Sequence, residues 1–353
     1  MKIRNLLPGL FAICLGLPAV LNAQPVPAVG QFERTQRELQ LQRPIPLNLN
    51  TNIDAPEFYQ GENTDVGPQR ILRVNPRKNY FSAVADSQYF YSDNVYLSDG
   101  AKLDSTIFVN TIQVAFAPDA YKLGKGLFSP AIGFRSQWFN YGLGMDHTDT
   151  TQVGTNTVTT GIDRLDFNAQ TVFINGRYQL NTWQFNAGFD FTRLLDQDKY
   201  EEAYREYVPT MGIQKFFPVG DNLVFNAGLQ TSYHLTETMP LAPFQRSDVN
   251  DRFDGVVNIS MTYQIVPRLV LQPFYRFQYT YYPHFSDNVV PWKEREDIIH
   301  SMGVSATYYF TKNISARIFA NYEIKNSDYS GTPSNFSYHK FDAGGGFSLN
   351  IRF

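Results

Sequence analysis

Five histidines, His147, His234, His284, His300 and His339, are the side chains best suited to acid–base or metal chemistry near neutral pH. All map to polar connections or to the strand ends beside them. Hydrolysis would require a serine within hydrogen-bond reach of a positioned base. His300 and Ser301 are adjacent, but neighbouring residues of a strand point to opposite faces. Two residues beyond His234 stands Thr236, not a serine. Asp146, His147 and Asp149 could ligate a metal, although in a polar loop such groups ordinarily serve solvation. Asp54, Glu57, Glu62 and Asp65 lack the spacing of a calcium loop. The one cysteine, Cys14, lies within the first 23 residues, so the chain beyond has no thiol nucleophile, disulfide or cysteine zinc site. No P-loop or dinucleotide fingerprint occurs, and the Gly344–Gly346 run has no helix after it to bind phosphate. The histidines complete no catalytic constellation, and no cofactor is implied.

A second chemical population is charged and periodic: Asp86, Arg135, Arg164, Asp166, Asp190, Arg252, Asp254, Arg276, Arg317, Glu323, Asp342 and Arg352. These fall on the polar parity of alternating segments. From Asn79 onward apolar and polar residues alternate with a period of two, the pattern of strands with one apolar face. Twelve segments follow from it: Tyr80–Asp93, Thr106–Ala117, Phe128–Tyr141, Arg164–Tyr178, one opening at Trp183, Ala203–Phe217, Leu223–Leu235, Phe253–Ile265, Leu269–Tyr281, Ile298–Phe310, Ile314–Ile324 and Tyr338–Phe353. The fifth is cleanest, with Trp183, Phe185, Ala187, Phe189 and Phe191 against Gln184, Asn186, Gly188, Asp190 and Thr192. In the fourth, Leu165, Phe167, Ala169 and Phe173 form the apolar face opposite Arg164, Asp166, Asn168 and Gln170. The sixth contains Pro209, which cannot donate to a ladder and predicts a bulge or local break.

Short connections alternate with long polar ones, and the strand count is even. That pattern predicts an all-β fold, a transmembrane antiparallel up-and-down β-barrel of about twelve strands over residues 79–353. The chain has 22 Tyr and 29 Phe, yet no later apolar run reaches the length of a membrane helix. Aromatics collect at both segment ends, Tyr91, Trp138, Tyr141, Tyr233 and Tyr281 on the long-loop side and Trp183, Phe217, Tyr263, Phe310 and Phe353 on the short-turn side. Residues 1–23 carry Lys2 and Arg4 before an apolar run and read as a cleaved signal peptide. Residues 24–78, rich in Pro, Gln and Asn, read as an extended periplasmic arm. With 30 basic and 33 acidic residues, nothing points to nucleic acid.

The last segment ends in alternating Phe347, Leu349, Ile351 and terminal Phe353. It resembles the C-terminal assembly signal of Gram-negative outer-membrane β-barrels. The stretch Phe81–Gly100, with Asp93-Asn94-Val95 between aromatics, resembles the opening strand of a β-barrel porin-like family. The resemblance implies an outer-membrane protein that engages the barrel-insertion machinery and outer-membrane lipid. If the apolar parity faces lipid, the polar parity lines the lumen, and the twelve charges named above then predict a passive channel for small hydrophilic solutes, without enzymatic activity. The alternatives are a barrel enzyme acting on envelope lipid or polysaccharide, and a non-conducting structural or export-associated barrel. The pattern of the outer-membrane phospholipases, His then Ser two residues on and then Asn-Gly, is absent.

Overall fold

The computed structural model describes Phe32 and residues 80–353, apart from 100–101, 144–147, 154–155, 198–199, 239–246, 285–293 and 329–335. Twelve strands form the wall: β1 Phe81–Ser92, β2 Ser105–Phe116, β3 Gly126–Tyr141, β4 Phe167–Leu180, β5 Trp183–Asp196, β6 Glu202–Val219, β7 Leu223–Thr238, β8 Arg252–Val266, β9 Leu269–Tyr282, β10 Arg295–Tyr309, β11 Ile314–Ser327 and β12 Tyr338–Arg352. Each pairs antiparallel with its sequence neighbours, and β12 pairs with β1 to close the cylinder. Closure leaves no sheet edge, so every strand finds partners for its backbone without water. A three-residue strand, Tyr121–Leu123, extends the start of β3, and Thr148–Val153 pairs with Asn156–Gly161 in the long connection after β3.

The exposed side of the wall is apolar. Val114, Ile132, Ile174, Phe189, Leu229, Ile259 and Phe347 are among the exposed large side chains around the barrel. So broad an apolar surface would drive association in water and fits hydrocarbon. Among the described residues no helix is long and apolar enough to cross a membrane. Aromatics meet at the short-turn rim: Phe81 packs on Phe116 and on Phe353, Tyr121 on Phe128, Tyr308 on Phe310, and the Lys215 ammonium lies over the Trp183 and Phe217 rings. This is the interface girdle of a membrane barrel.

Closure is made at the chain terminus. The Phe353 carbonyl accepts from the Tyr80 and Phe81 amides at 3.2 and 2.9 Å, and the Phe353 amide donates to the Phe81 carbonyl at 3.0 Å. Further along the seam, Gly344 and Gly346 face inward beside Phe90 and Gln88. A Cβ on Gly344 would collide with Phe90 and with the Tyr89 carbonyl, so glycine here lets a large inward ring lie flat on the neighbouring strand.

Several sequence expectations are corrected. The fourth strand faces the other way: Phe167, Ala169 and Phe173 are buried inside, while Val172 and Ile174 are 46% and 54% exposed outside. Both parities of this strand carry apolar residues, so alternation alone could not choose between them. Tyr141 is likewise not part of an outer girdle; it is buried on the inward side with Phe139. At Pro209 the expected interruption is present, as a local break of the ladder and not as a bulge. Its β5 side pairs through, but on the β7 side pairing stops at Thr210↔Ser232 and resumes at Tyr207↔Leu235 in the same register. Register shifts occur instead at Leu194/Leu195 and at Gln264/Val266. Of the segment expected to be a periplasmic arm, Phe32 lies within the barrel, 3% exposed. The proposed signal peptide and the rest of the arm lie outside the described residues.

Candidate functional site: the barrel lumen

Inward residues divide the lumen into an apolar and an ionic part. The apolar part joins Phe90 on β1, Ile107 and Val109 on β2, Phe139 on β3, Phe167 and Ala169 on β4, Leu194 on β5, Tyr204 on β6 and Phe319 on β11, with Phe32 among them. Phe139 and Phe167 stack with centroids 4.3 Å apart, and Phe90 meets Phe319 at 5.9 Å. Buried aromatic area of this kind stabilises a barrel from within, as side chains do in narrow barrels.

The ionic part is carried by β6, β7 and β8. Glu206, His234, Arg252 and Asp254 are all buried. The Glu206 Oε2 accepts from the Tyr204 hydroxyl at 2.9 Å and lies 2.9 Å from His234 Nδ1 and 3.5 Å from Arg252 Nη2. His234 Nε2 lies 3.2 Å from Asp254 Oδ2, and Arg252 Nε is 3.7 Å from the same oxygen. One wall thus holds two carboxylates, a guanidinium and an imidazole in mutual contact. Because the ladder between β6 and β7 is interrupted beside Pro209, these side chains tie the two strands together where backbone pairing does not.

Around the wall the pattern recurs. Asp297 on β10 is 2.8 Å from Lys325 Nζ and 3.3 Å from Arg295 Nε, and the Arg295 guanidinium lies between the Tyr282 and Phe336 rings at 3.6 and 4.3 Å. Glu323 accepts from Ser301 Oγ and from the Tyr338 hydroxyl, each at 2.8 Å. Lys340 sits 3.4 Å from Asp342, both almost wholly buried, and Asp86 accepts from Gln88 Nε2 at 2.6 Å. Ionised groups at such burial persist only when neutralised nearby.

Most of the charges singled out from sequence share the inward parity. Asp86, Arg135, Arg252, Asp254, Arg276, Glu323 and Asp342 are buried, while Asp190 and Arg317 are partly so. Arg352 shares that parity but is exposed at the strand end. Asp166 does not lie on the inward face. It precedes β4, accepts from the Tyr141 amide at 2.8 Å and from Asn140 Nδ2 at 3.0 Å, and so fastens the end of β3. Arg164 belongs to the 3-10 turn Ile162–Leu165, and its side chain lies outside the described residues.

The sequence reading overlooked Glu206, because the sixth segment had the weakest alternation. It also overlooked Arg295 and Asp297, because the tenth segment was begun too late. Lys340 could have been found: it shares the parity of Asp342 in the last strand.

The histidines separate cleanly. His300 faces outward, 2.8 Å from the Tyr275 hydroxyl, while Ser301 faces inward to Glu323. His339 is exposed near Asp99 and Lys102. His284 lies with Asp248 and Asp251 in a group whose ligand atoms fall within 4.8 Å of one another, but Asp251 already accepts from the Thr236 amide and hydroxyl. His147 and Asp146 lie outside the described residues, as does the side chain of Asp149. At His234 the serine that sequence sought two residues later stands two residues earlier: Ser232 Oγ is 3.2 Å from Nε2, with Glu206 at Nδ1. Asp254 approaches the same Nε2, and Arg252 Nη2 lies 2.8 Å from Nδ1. A base so engaged is not directed at the serine alone.

Between β5 and β9 a cavity of about 90 Å³ remains, lined by Asp190, Glu206, Ser232, His234, Asp254, Arg276 and Gln278, with Phe32 closing one side.

No protein-family model matches the chain, and no curated protein matches its sequence. Among solved structures it is similar to an outer membrane channel from Pseudomonas putida F1, at 10% identity over 78% of this chain and 96% of that one, with a TM-score of 0.46. It is also similar to the beta domain of the Bordetella autotransporter BrkA, at 11% identity over 77% and 100% of the two chains, with a TM-score of 0.41. A third is the KdgM porin in complex with disordered oligogalacturonate, at 12% identity over 75% and 98%, with a TM-score of 0.36.

Proposed function

We propose that this outer-membrane β-barrel is a porin-like channel for passive diffusion of small hydrophilic solutes. The observation that carries the reading is the inward wall from β5 to β9, where a polar cavity is bounded by Asp190, Glu206, His234, Asp254 and Arg276. A barrel needing only a filled interior has no use for so many buried ions, because an apolar filling avoids their desolvation. Fixed charges of both signs along a lumen orient and filter polar solutes. In this reading Asp86, Arg135, Asp190, Arg252, Asp254, Arg276, Arg317, Glu323 and Asp342 set the field of the path. Its surroundings are outer-membrane lipid, reached through the barrel-insertion machinery. The test is swelling of liposomes containing the purified protein, with sugars and amino acids of graded size. Size-dependent swelling that changes with Arg276→Glu supports the proposal; protein-independent swelling at every solute size counts against it.

One observation favours a second reading, a hydrolase: the Ser232, His234 and Glu206 side chains stand in nucleophile, base and acid order. It predicts covalent labelling by a fluorophosphonate that Ser232→Ala abolishes. Equal absence of label in both proteins removes it.

A further inference from the structure

Three side chains with metal-ligating atoms meet at the long-loop rim: Asp248, Asp251 and His284, whose ligand atoms all lie within 4.8 Å of one another. The fold brings them there from two separate connections. Asp248 and Asp251 belong to the turn that leads into β8, closed by the Asp251 amide donating to the Asp248 carbonyl at 3.0 Å. β8 pairs with β9 through Phe253↔Tyr281, and continuing that register by two residues carries Asp251 to the level of Pro283, beside His284. The turn is itself fastened to β7. The Thr238 amide donates to the Ser247 carbonyl at 2.8 Å, and Asn250 Nδ2 donates to Thr238 Oγ1 at 2.9 Å.

Asp251 departs from the rule of the other buried carboxylates. Asp254, Asp297 and Asp342 lie 3.7, 2.8 and 3.4 Å from Arg252, Lys325 and Lys340. Asp251 is 6% exposed, yet among the described residues no Lys or Arg pairs with it. The Thr236 amide and hydroxyl both donate to its Oδ1, at 2.6 and 2.9 Å, which orients the carboxylate and leaves Oδ2 to another partner. A buried anion without a counter-charge is costly, and a cation held between Asp251, Asp248 and His284 removes that cost. We propose that these three side chains form a divalent-cation site of the zinc class, which staples the β7–β8 connection to the β9–β10 connection at the mouth of the barrel. The site stands independently of the channel reading. One imidazole nitrogen with two carboxylates favours zinc-like ions over calcium, which takes about six to eight oxygens. Zinc ligands stand about 3.3 Å apart around the ion, so the group draws inward on binding. His284, half-buried in the turn after β9, is placed to make that movement.

The test uses the full chain without an affinity tag, purified in detergent, with Zn2+ as the probe. Calorimetric titration is expected to show one Zn2+ bound per chain. Affinity should fall about tenfold or more in His284→Ala and in Asp251→Asn. It should be unchanged in His339→Ala, which removes an exposed histidine near Asp99 and Lys102. Asp251→Asn keeps the oxygen that accepts from Thr236, and retained protease resistance confirms that each variant is folded. The staple is read separately: Zn2+ should raise the unfolding temperature of the parent and leave that of His284→Ala unmoved. Absence of saturable binding by the folded parent overturns the inference, as does equal affinity of the parent and His284→Ala. Displacement of bound Zn2+ by an equal concentration of Ca2+ also overturns it, because an imidazole ligand disfavours that exchange.

Discussion

At the residue scale the protein stands on buried charges that cannot be removed singly. Glu206, His234, Arg252 and Asp254 are mutually neutralising within contact distance, and truncating one leaves its partners buried without compensation. Arg252→Ala is expected to cost about 3 kcal/mol in stability, read as a lowered denaturant midpoint of the detergent-solubilised barrel. The exposed pair Arg205 and Glu237, 3.0 Å apart, provides the control: Glu237→Gln should change the midpoint by well under about 1 kcal/mol. These two outcomes separate ions that tie strands together from ions that decorate a rim. Alternation exposed Arg252 and Asp254 in the sequence because they flank the outward Phe253 at a spacing of two. It concealed Glu206 because Pro209 and mixed neighbours blur the period of β6, and no spacing rule could show that Ser232, rather than a residue after His234, lies beside it.

At the element scale the seam between β12 and β1 decides assembly. Phe353 supplies both a reciprocal backbone pair to Phe81 and a ring stacked on it at 6.0 Å. Removing Phe353 is therefore expected to lower the amount of folded barrel in the envelope before it alters transport, and normal folded levels would contradict this role. Gly344→Val tests the same seam from inside, since its side chain would meet Phe90. Overpacking of this kind should destabilise by about 1–3 kcal/mol, measured by equilibrium unfolding. Strand positions and closure were legible because one face of each strand must be apolar to meet lipid, while the turns are short and polar. The orientation of β4 was not legible, because the interior there is as apolar as the exterior: Phe167 stacks on Phe139 while Val172 and Ile174 face out. A period-two pattern reports contrast between faces, and where both are apolar the contrast vanishes.

At the scale of the whole molecule, a closed wall with an apolar exterior encloses a lumen that is aromatic on one side and ionic on the other, with Phe32 between them. Sequence alone could place the charges on the inner parity, but it could not place a residue of the preceding segment inside the barrel, since nothing in a linear pattern records a contact over so long a separation. The central claim is that this lumen is a solute path whose field is set by its wall charges. Planar-bilayer recording of the purified protein, with and without Arg276→Glu, tests it most directly. Discrete conductance steps are predicted in both, with the reversal potential in a salt gradient moving toward cation preference when Arg276 is replaced by Glu. Folded, inserted protein that gives no conductance would contradict the account, as would a reversal potential unmoved by the change of sign.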